Sequence, residues 1–250
     1  MSNYQRNTSM VVCIFAVLIV GAIAVGALSY YGTTNWNWNP VTTEYTFEAE
    51  VGATTGTVTL DVDLDAGGVS VSFVDNASLL YDITIEVDNT TIATYGEPTV
   101  TFVSNTIAID YTAGGLNITL GSGVNYTIDI ATSTGGVDID LDDGAHIGDV
   151  SVQVSGGGIS FSMSDNVVLI GSPTFDFDAT AGGISLLIDL PPGIGGSIEC
   201  AATVGGVDIT AAGWTEVTST HYETSDYSTA SQSLTIVAQA DAGGVTATLT

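Results

Sequence analysis

The sequence almost lacks cationic side chains. Its only Lys or Arg is Arg6, whereas it carries 28 Asp and Glu residues, all from Glu44 onward, and its formal net charge is −27 at pH 7. Nucleic-acid binding needs Lys and Arg to displace the counterions of phosphates, so this partner class is excluded. Cohesion must come from apolar burial and backbone hydrogen bonds, and the carboxylates are expected to be solvated, with cations only as diffuse counterions.

Cysteine and histidine are also scarce. The 2 cysteines, Cys13 and Cys200, lie in an apolar segment and in a predicted strand, which makes a disulfide between them implausible. The 2 histidines, His146 and His221, are predicted to be turn or loop residues, since no second nitrogen or sulfur ligand accompanies either of them. No cluster of His, Cys or basic residues could stabilise a developing negative charge. The sequence therefore predicts no catalytic residue, no cofactor and no enzyme.

One long apolar run is present near the amino terminus. Met10 to Leu28 contains no charge, and at about 1.5 Å per residue it spans about 28 Å, close to the hydrocarbon thickness of a bilayer. Arg6 precedes the run and no Lys or Arg follows it, which places the amino terminus inside and the rest outside. We predict a single-pass membrane protein with a cytoplasmic tail (1–9), a transmembrane helix as signal anchor (10–31), a linker (32–45) and an ectodomain (46–250). A cleaved signal peptide ending near Ala27-Leu28-Ser29 is the alternative.

Apolar and polar residues alternate throughout the predicted ectodomain. Val58–Leu64, Val137–Leu141 and Ile159–Met163 each place an aliphatic or aromatic residue at every second position, with Asp, Ser or Thr between them. This period is typical of strands with one buried face. No stretch beyond Tyr31 shows a helical period, so the ectodomain is predicted to be all-β.

Glycine pairs punctuate the alternating pattern, and each is followed directly by Val, Leu or Ile. Most pairs recur about every 21 to 25 residues, within the period range of stacked repeat architectures. A glycine pair permits positive φ and a close approach of neighbouring backbones, so we expect each pair to form a structural repeat corner. The pairs are Gly67-Gly68, Gly114-Gly115, Gly135-Gly136, Gly157-Gly158, Gly182-Gly183, Gly205-Gly206 and Gly243-Gly244.

This repeat predicts a β-solenoid with roughly 22-residue repeats, in which parallel strands stack and their inward side chains form one apolar column. The alternative is an antiparallel β-sandwich or meander in which each glycine pair makes a tight hairpin. Two gaps are longer than the others. We expect the first to contain a further unit with a degenerate glycine pair at Asn89–Ile92, and the second to contain an insertion over 213–233. The strand Gly243–Leu249 is then expected to form the last coil.

The units resemble a known family. Ala181–Leu186, which reads AGGISL, the turn Leu190–Gly193 and the strand Thr203–Ile209, which reads TVGGVDI, are similar to the putative-adhesin family of Gly-Gly repeat β-solenoid domains, related to the carboxy-terminal domains of cell-wall stress-response membrane proteins. The resemblance covers roughly residues 46–250. It implies a membrane-anchored β-solenoid displayed outside the cell, and it carries over no catalytic residue.

Two kinds of candidate site occur in the predicted ectodomain. Glycosylation acceptors of the form Asn-x-Ser/Thr stand at Asn76, Asn89, Asn117 and Asn125. Carboxylates at every second position share one strand face, and Ca²⁺ prefers six to eight oxygen ligands. Weak metal candidates are therefore Asp138, Asp140, Asp142 and Asp143, with a similar series at Asp61, Asp63 and Asp65. A solvated outer face is the alternative, because the Gly-Gly-x-Gly-x-Asp pattern of calcium-binding repeats does not occur.

These features predict a non-catalytic structural, adhesion or interaction module of the cell envelope, held by one membrane span. An envelope protein or a glycan is the expected partner class besides the membrane. The alternative is a sensor or accessory subunit of an envelope-stress or transport complex, which would act through its membrane span. The short predicted tail of residues 1–9 leaves little room for signalling except through that span.

Overall fold

Strands dominate the described part of the chain. The computed structural model describes residues 41–250, so the predicted tail and membrane helix and most of the linker lie outside the described residues. Val41–Thr250 is a compact unit. Within it, no helix has both the length and the apolarity that a membrane crossing requires.

The prediction of an all-β architecture is confirmed for this unit. Its only helix among residues 41–250 is α1 (Asn89–Tyr95). The strands are β1 (Thr42–Glu50), β2 (Thr57–Phe73), β3 (Leu79–Asp88), β4 (Val100–Val103), β5 (Thr106–Leu120), β6 (Asn125–Thr134), β7 (Val137–Leu141), β8 (His146–Gly156), β9 (Ile159–Met163), β10 (Val168–Leu169), β11 (Thr174–Ala181), β12 (Ile184–Ile188), β13 (Gly195–Val204), β14 (Val207–Ala211), β15 (Trp214–Thr218), β16 (His221–Thr224), β17 (Ser233–Ala242) and β18 (Val245–Leu249).

Each glycine pair joins two segments of strand, which we call the first limb, before the pair, and the second limb, after it. β2 and β5 run through both limbs of their units, whereas β6 and β7, β8 and β9, β11 and β12, β13 and β14, and β17 and β18 are separate limbs. Limbs of the same kind pair in parallel and in register, so that Gly67 lies opposite Gly114 and Val137 opposite Ile159. Along the sheet the second limbs follow the order β5, β2, β7, β9, β12, β18, β14.

The inward side chains of the limbs form one apolar core. They alternate with exposed residues along each limb, as in β7, where Val137, Ile139 and Leu141 are buried and the two intervening aspartates are exposed. Phe161, for example, lies edge-on to Phe175 with the ring centroids 5.5 Å apart. Because almost no ion pairs are available to this chain, the core supplies most of the cohesion, at about 25 cal/mol for each Å² of apolar surface that is buried.

The first glycine is fixed by the neighbouring unit in every pair except Gly114-Gly115, where β3 lies alongside. Gly135 has φ +145° and Gly157 has φ +151°, a region that residues with a Cβ rarely adopt. A Cβ on Gly135 would overlap the carbonyl oxygen of Gly67, and a Cβ on Gly157 would overlap that of Gly135. Successive units therefore approach each other closely at a row of first glycines.

The prediction of a degenerate unit at Asn89–Ile92 is wrong. β3 pairs antiparallel with the second limb of β5, and the chain then enters α1 instead of a second limb. The local sequence explains the helix, since Asp88 accepts a hydrogen bond from the backbone N–H of Thr90 at 2.7 Å and so caps the helix. β1 pairs antiparallel with β3, and β4 with the first limb of β5, so antiparallel strands end the parallel stack here.

The expectation that Gly243–Leu249 forms the last coil is also wrong. β17 and β18 lie between the unit of β11 and β12 and the unit of β13 and β14. The region predicted as an insertion, 213–233, contributes a hairpin of β15 and β16, which pairs antiparallel with Ser197–Glu199 of β13. Trp214 and Tyr222 pack against the core there, and a Cβ on Gly196 would overlap the Trp214 ring. The hairpin occupies part of the end of the stack that the last strand was expected to hold.

We expect Gly135→Ala to lower the free energy of unfolding by at least about 3 kcal/mol, because the added methyl group meets a backbone oxygen at positive φ. The matched control is Gly136→Ala, whose Cβ would have its nearest neighbour, the Gly158 oxygen, at 3.7 Å in ordinary contact. It should change stability by less than about 1 kcal/mol. Equal effects in urea denaturation would contradict the assigned roles of the two glycines.

Tyr126 is buried, and its hydroxyl donates to the carbonyl oxygen of Leu80 at 2.6 Å. Burial raises the pKa of Tyr126 to about 12 from an ordinary value of 10.0. The folded state therefore favours the protonated phenol of Tyr126. The contribution of this group to the free energy of unfolding is fully present below pH 10 and is lost as the pH rises through about 12.

We therefore expect Tyr126→Phe to reduce the slope of unfolding free energy against pH above pH 10. At neutral pH the same variant should be less stable by about 1 kcal/mol, since the Leu80 carbonyl loses its partner. Tyr95→Phe, at a ring that is 62% exposed, is the control. Chemical denaturation across this pH range is the measurement, and an unchanged slope in Tyr126→Phe would count against the assignment.

Candidate functional site

An open groove of about 770 Å³ runs across the second limbs of neighbouring units. Strands β1, β3, β5, β2, β7 and β9 contribute to it in spatial order. One part of its lining consists of outward polar side chains. Another part, beside the row of first glycines, consists of the second glycines of the pairs. The outward polar residues are Glu44, Thr84, Glu86, Asn117, Ser70, Asp138 and Ser160, and the glycines are Gly68, Gly115, Gly136 and Gly158.

Strand register places the polar side chains in a row. Asn117 lies opposite Ser70, Ser70 opposite Asp138, and Asp138 opposite Ser160. Adjacent strands are about 4.8 Å apart, so the row offers one hydrogen-bonding side chain at each such step. The arrangement suits an extended molecule that lies across the strands.

The floor of the groove contains second glycines, and three of the four have space for a side chain, whereas a Cβ on Gly158 would meet the Gly183 carbonyl oxygen at 3.3 Å. A Cβ on Gly115 would meet no atom within 4 Å, and on Gly68 or Gly136 the nearest atoms would be at 3.8 and 3.7 Å. Glycine inside a strand costs stability relative to residues with side chains, and it often marks a place where another backbone or a ligand approaches closely. The sequence nevertheless repeats glycine at this position in these units, which keeps the groove floor free of side chains.

The groove is acidic. Glu44 and Glu86 are opposite each other across β1 and β3, and Asp138 lies further along. No Lys or Arg occurs among residues 41–250, so no fixed cation offsets these carboxylates. Electrostatic repulsion therefore disfavours phosphorylated, sulfated or carboxylated ligands, while neutral ligands that donate hydrogen bonds are compatible with the site.

The predicted metal candidates do not converge. Asp138 lines the groove, Asp140 accepts a hydrogen bond from Ser162 at 2.6 Å, and Asp143 borders a separate depression with His146 and Asp75. Asp142, like Asp138 and Asp140, is exposed. Within residues 41–250, no group of three or more His, Cys, Asp or Glu is arranged to hold a metal ion.

The three aspartates of the other series all lie on β2, but their carboxylate partners lie on different neighbouring strands. Asp61 lies opposite Asp129 on one side and Ala108 on the other, and Asp63 lies opposite Asp110 and Ala131. Like Asp65, these two residues are exposed on the first limb of β2. The carboxylates thus form separate pairs, and alanines interrupt the ladder that the sequence suggested.

The prediction of both histidines as turn or loop residues is wrong, because His146 begins β8 and His221 begins β16. The surroundings of His221 suggest a site at first sight. Its Nε2 atom lies 3.1 Å from Ser197 Oγ and 3.2 Å from Glu223 Oε1. A Ser-His-acid triad needs the hydroxyl and the carboxylate on opposite ring nitrogens. Here both groups meet the same nitrogen, so the arrangement is that of a structural cluster that ties the hairpin to β13.

Cys200 is also part of the structure and not of a reactive site. Burial, with a smaller contribution from Glu199, raises the pKa of the Cys200 thiol to about 12. The thiolate is the reactive form, so this cysteine is unreactive near neutral pH. The second cysteine, Cys13, lies outside the described residues.

The four glycosylation acceptors differ in their surroundings. Asn76 lies in the exposed turn before β3, and Asn89 begins α1. Asn117 lies within β5 and lines the groove, whereas Asn125 begins β6 and is half-buried. The sequence motif gave no indication of this difference, because it does not report secondary structure.

Sequence reasoning missed Glu44, Glu86, Ser70 and Ser160 as groove residues. The two glutamates come from the antiparallel strands that precede the stack, and no repeat pattern links them to it. The sequence did contain a signal for the row. The second glycine of each of these glycine pairs stands two residues before the outward polar residue, and so on the same face of the strand.

Comparison of the chain with protein-family models gave no match, and comparison with curated proteins gave none either. Solved structures do resemble it. A structure described as a putative cell adhesion protein from Clostridium sporogenes has a TM-score of 0.67 at 17% sequence identity, over 84% of this chain and 100% of that chain. At this identity the likeness shows a shared fold.

Two further structures are more distant. A putative adhesin from Bacteroides fragilis has a TM-score of 0.33 at 13% identity, over 84% of this chain and 99% of that chain. A putative adhesin from Parabacteroides distasonis has a TM-score of 0.26 at 10% identity, over 85% and 98%. All three neighbours bear names from cell adhesion.

We expect glycans, where the native host attaches them, at Asn76 and Asn89 and not at Asn117 or Asn125. The first two side chains are exposed outside strands, whereas the other two belong to paired strands. Peptide mass mapping of the protein from its native host measures this. Modification of Asn117 would fill the groove and would contradict its assignment as a binding surface.

Proposed function

We propose that this chain is a non-catalytic adhesion or interaction module of the cell envelope, which binds an extended neutral polyhydroxylated polymer along the groove. The proposal includes the β-solenoid description of the stacked units, the single membrane span over 10–31 and the display of residues 46–250 outside the cell. Parallel, in-register limbs support the solenoid description, and the charge distribution around the apolar run supports the orientation.

The observation that carries the proposal is the groove floor. Gly115 has space for a side chain but has none, and it lies beside a row of polar side chains about 4.8 Å apart. None of the lining residues is aromatic, so recognition would depend on hydrogen bonds to the exposed backbone and to Asn117, Ser70 and Asp138. The name of the Clostridium sporogenes structure, a putative cell adhesion protein, supports the general class.

Neutral polymers fit this surface better than anionic ones. Glu44, Glu86 and Asp138 repel carboxylates and sulfates, and they accept hydrogen bonds from hydroxyl groups. A sugar chain offers such donors at repeated intervals. Many weak contacts along an extended chain also add up, because each bound segment raises the effective concentration of the next.

The test is binding of the full chain, in nanodiscs, to an array of neutral and anionic polysaccharides. We expect retention of at least one neutral polymer, and at least a tenfold loss of affinity in Gly115→Leu, whose side chain would fill the groove. Gly206→Leu is the matched control, since a Cβ there also meets no atom within 4 Å and the residue lies outside the groove.

Two outcomes would contradict the proposal. One is the absence of binding to every neutral polymer. The other is binding that Gly115→Leu and Gly206→Leu reduce equally, which would place the contact elsewhere. Unchanged circular dichroism in both variants shows that the comparison concerns binding and not folding.

A further inference from the structure

The second-limb sheet has two edge strands, β1 and β14. β14 pairs in parallel with β18 on one side, and no segment within residues 41–250 pairs with its other side. Gly206 accepts a hydrogen bond from Val245, and Ala212 donates one to Leu249. Because such bonds alternate along a parallel strand, the N–H and C=O groups of Val207, Ile209 and Ala211 point away from β18.

The two edges differ in their protection. β1 carries Glu44, Glu48 and Glu50 on its exposed face, and charged side chains are a common means of preventing edge-to-edge association. β14 carries a single acid, Asp208, and its Val207 and Ile209 side chains are only half-buried. The β15–β16 hairpin covers β13 at Ser197–Glu199 and leaves β14 unpaired.

We propose that β14 pairs antiparallel with β14 of a second copy of this chain, about a two-fold axis at Ile209. The outward N–H and C=O groups of Ile209 then bond those of its counterpart, and Val207 lies opposite Ala211. The two sheets become continuous, and the half-buried apolar side chains at each end are covered. Such a contact is isologous and closes after two copies.

Charge selects this register. With Ile209 opposite itself, Asp208 lies opposite Thr210, so a carboxylate meets a hydroxyl group. A shift that centres the pair on Asp208 would set two carboxylates opposite each other, which is unfavourable. The same reasoning disfavours β1 as the self-pairing edge, because its glutamates would face one another.

The unprotected edge lies at the opposite end of the second-limb sheet from β1, eight strands away and about 40 Å across the sheet. Residues 1–40 precede β1 in the chain. This inference rests on the proposed adhesion function and identifies one partner as a second copy of this chain.

Ionic strength should strengthen the contact. Each copy carries a net charge of −27, and salt screens repulsion between like charges at distances beyond the Debye length, which falls from about 10 Å at 0.1 M to about 3 Å at 1 M. The backbone hydrogen bonds at the centre of the contact are little affected. We expect association to rise about tenfold over this range.

The experiment uses the full chain reconstituted into phosphatidylcholine vesicles, with clustering followed by dynamic light scattering. We expect clustering of protein-bearing vesicles at about 1 M NaCl without added polysaccharide, and no recruitment of labelled bare vesicles into the clusters. Thr210→Asp should weaken clustering roughly fivefold, because it places a carboxylate opposite Asp208 of the second copy at two symmetric positions. The double variant Asp208→Lys with Thr210→Asp should restore it.

Ser185→Asp is the matched control, since Ser185 is exposed in the middle of the sheet and the added charge is the same. It should leave clustering unchanged. Absence of clustering at 1 M salt, or equal clustering in all variants, would overturn the inference. Polysaccharide binding by the same vesicles, which Gly115→Leu affects and Thr210→Asp does not, reports separately on the proposed function.

Discussion

The close contact of backbones at the first glycines is the constraint on which this structure depends. The carbonyl oxygen of Gly67 occupies the place that a Cβ of Gly135 would need, and Gly135 has the same relation to Gly157. In-register stacking requires this contact, because the corners of neighbouring units must lie directly above one another. Once the corners are aligned, the limbs on both sides follow, and their alternating residues form the core on one face and the polar surface on the other. The core, the groove and the edges are all consequences of that alignment.

Sequence alone predicted the features that are local. Alternation in Val137–Leu141 indicated a strand with one buried face, and the glycine pairs indicated corners with positive φ, which holds for Gly135 and Gly157. It did not distinguish the two glycines of a pair, because that distinction depends on which atoms the neighbouring unit supplies. Their roles separate only in three dimensions: the first permits stacking, and the second leaves the groove floor open.

Features that depend on the order of units were not predictable in the same way. The limbs are nearly interchangeable, so nothing in the composition of β18 indicates that it lies between β12 and β14. The antiparallel strands at the ends follow from short local signals, such as the Asp88 cap that directs Asn89–Tyr95 into a helix. The groove was partly hidden for the same reason, since Glu44 and Glu86 belong to those end strands. The hydroxyl, amide and carboxylate groups beside the glycines were visible as a polar strand face but not as one row.

The intercalated position of β17 and β18 has a consequence for biogenesis. During synthesis, the segment up to Ala211 emerges before Ser233–Leu249, yet β13 and β14 pair with the preceding units only through that later segment. In a nascent chain, β12 and β14 therefore both lack the strand that pairs with them, because β18 has not yet been synthesised. Such long-range pairing slows folding and prolongs exposure of strand edges. In a chain of this topology, the second-limb sheet can close only after Ser233–Leu249 has been synthesised.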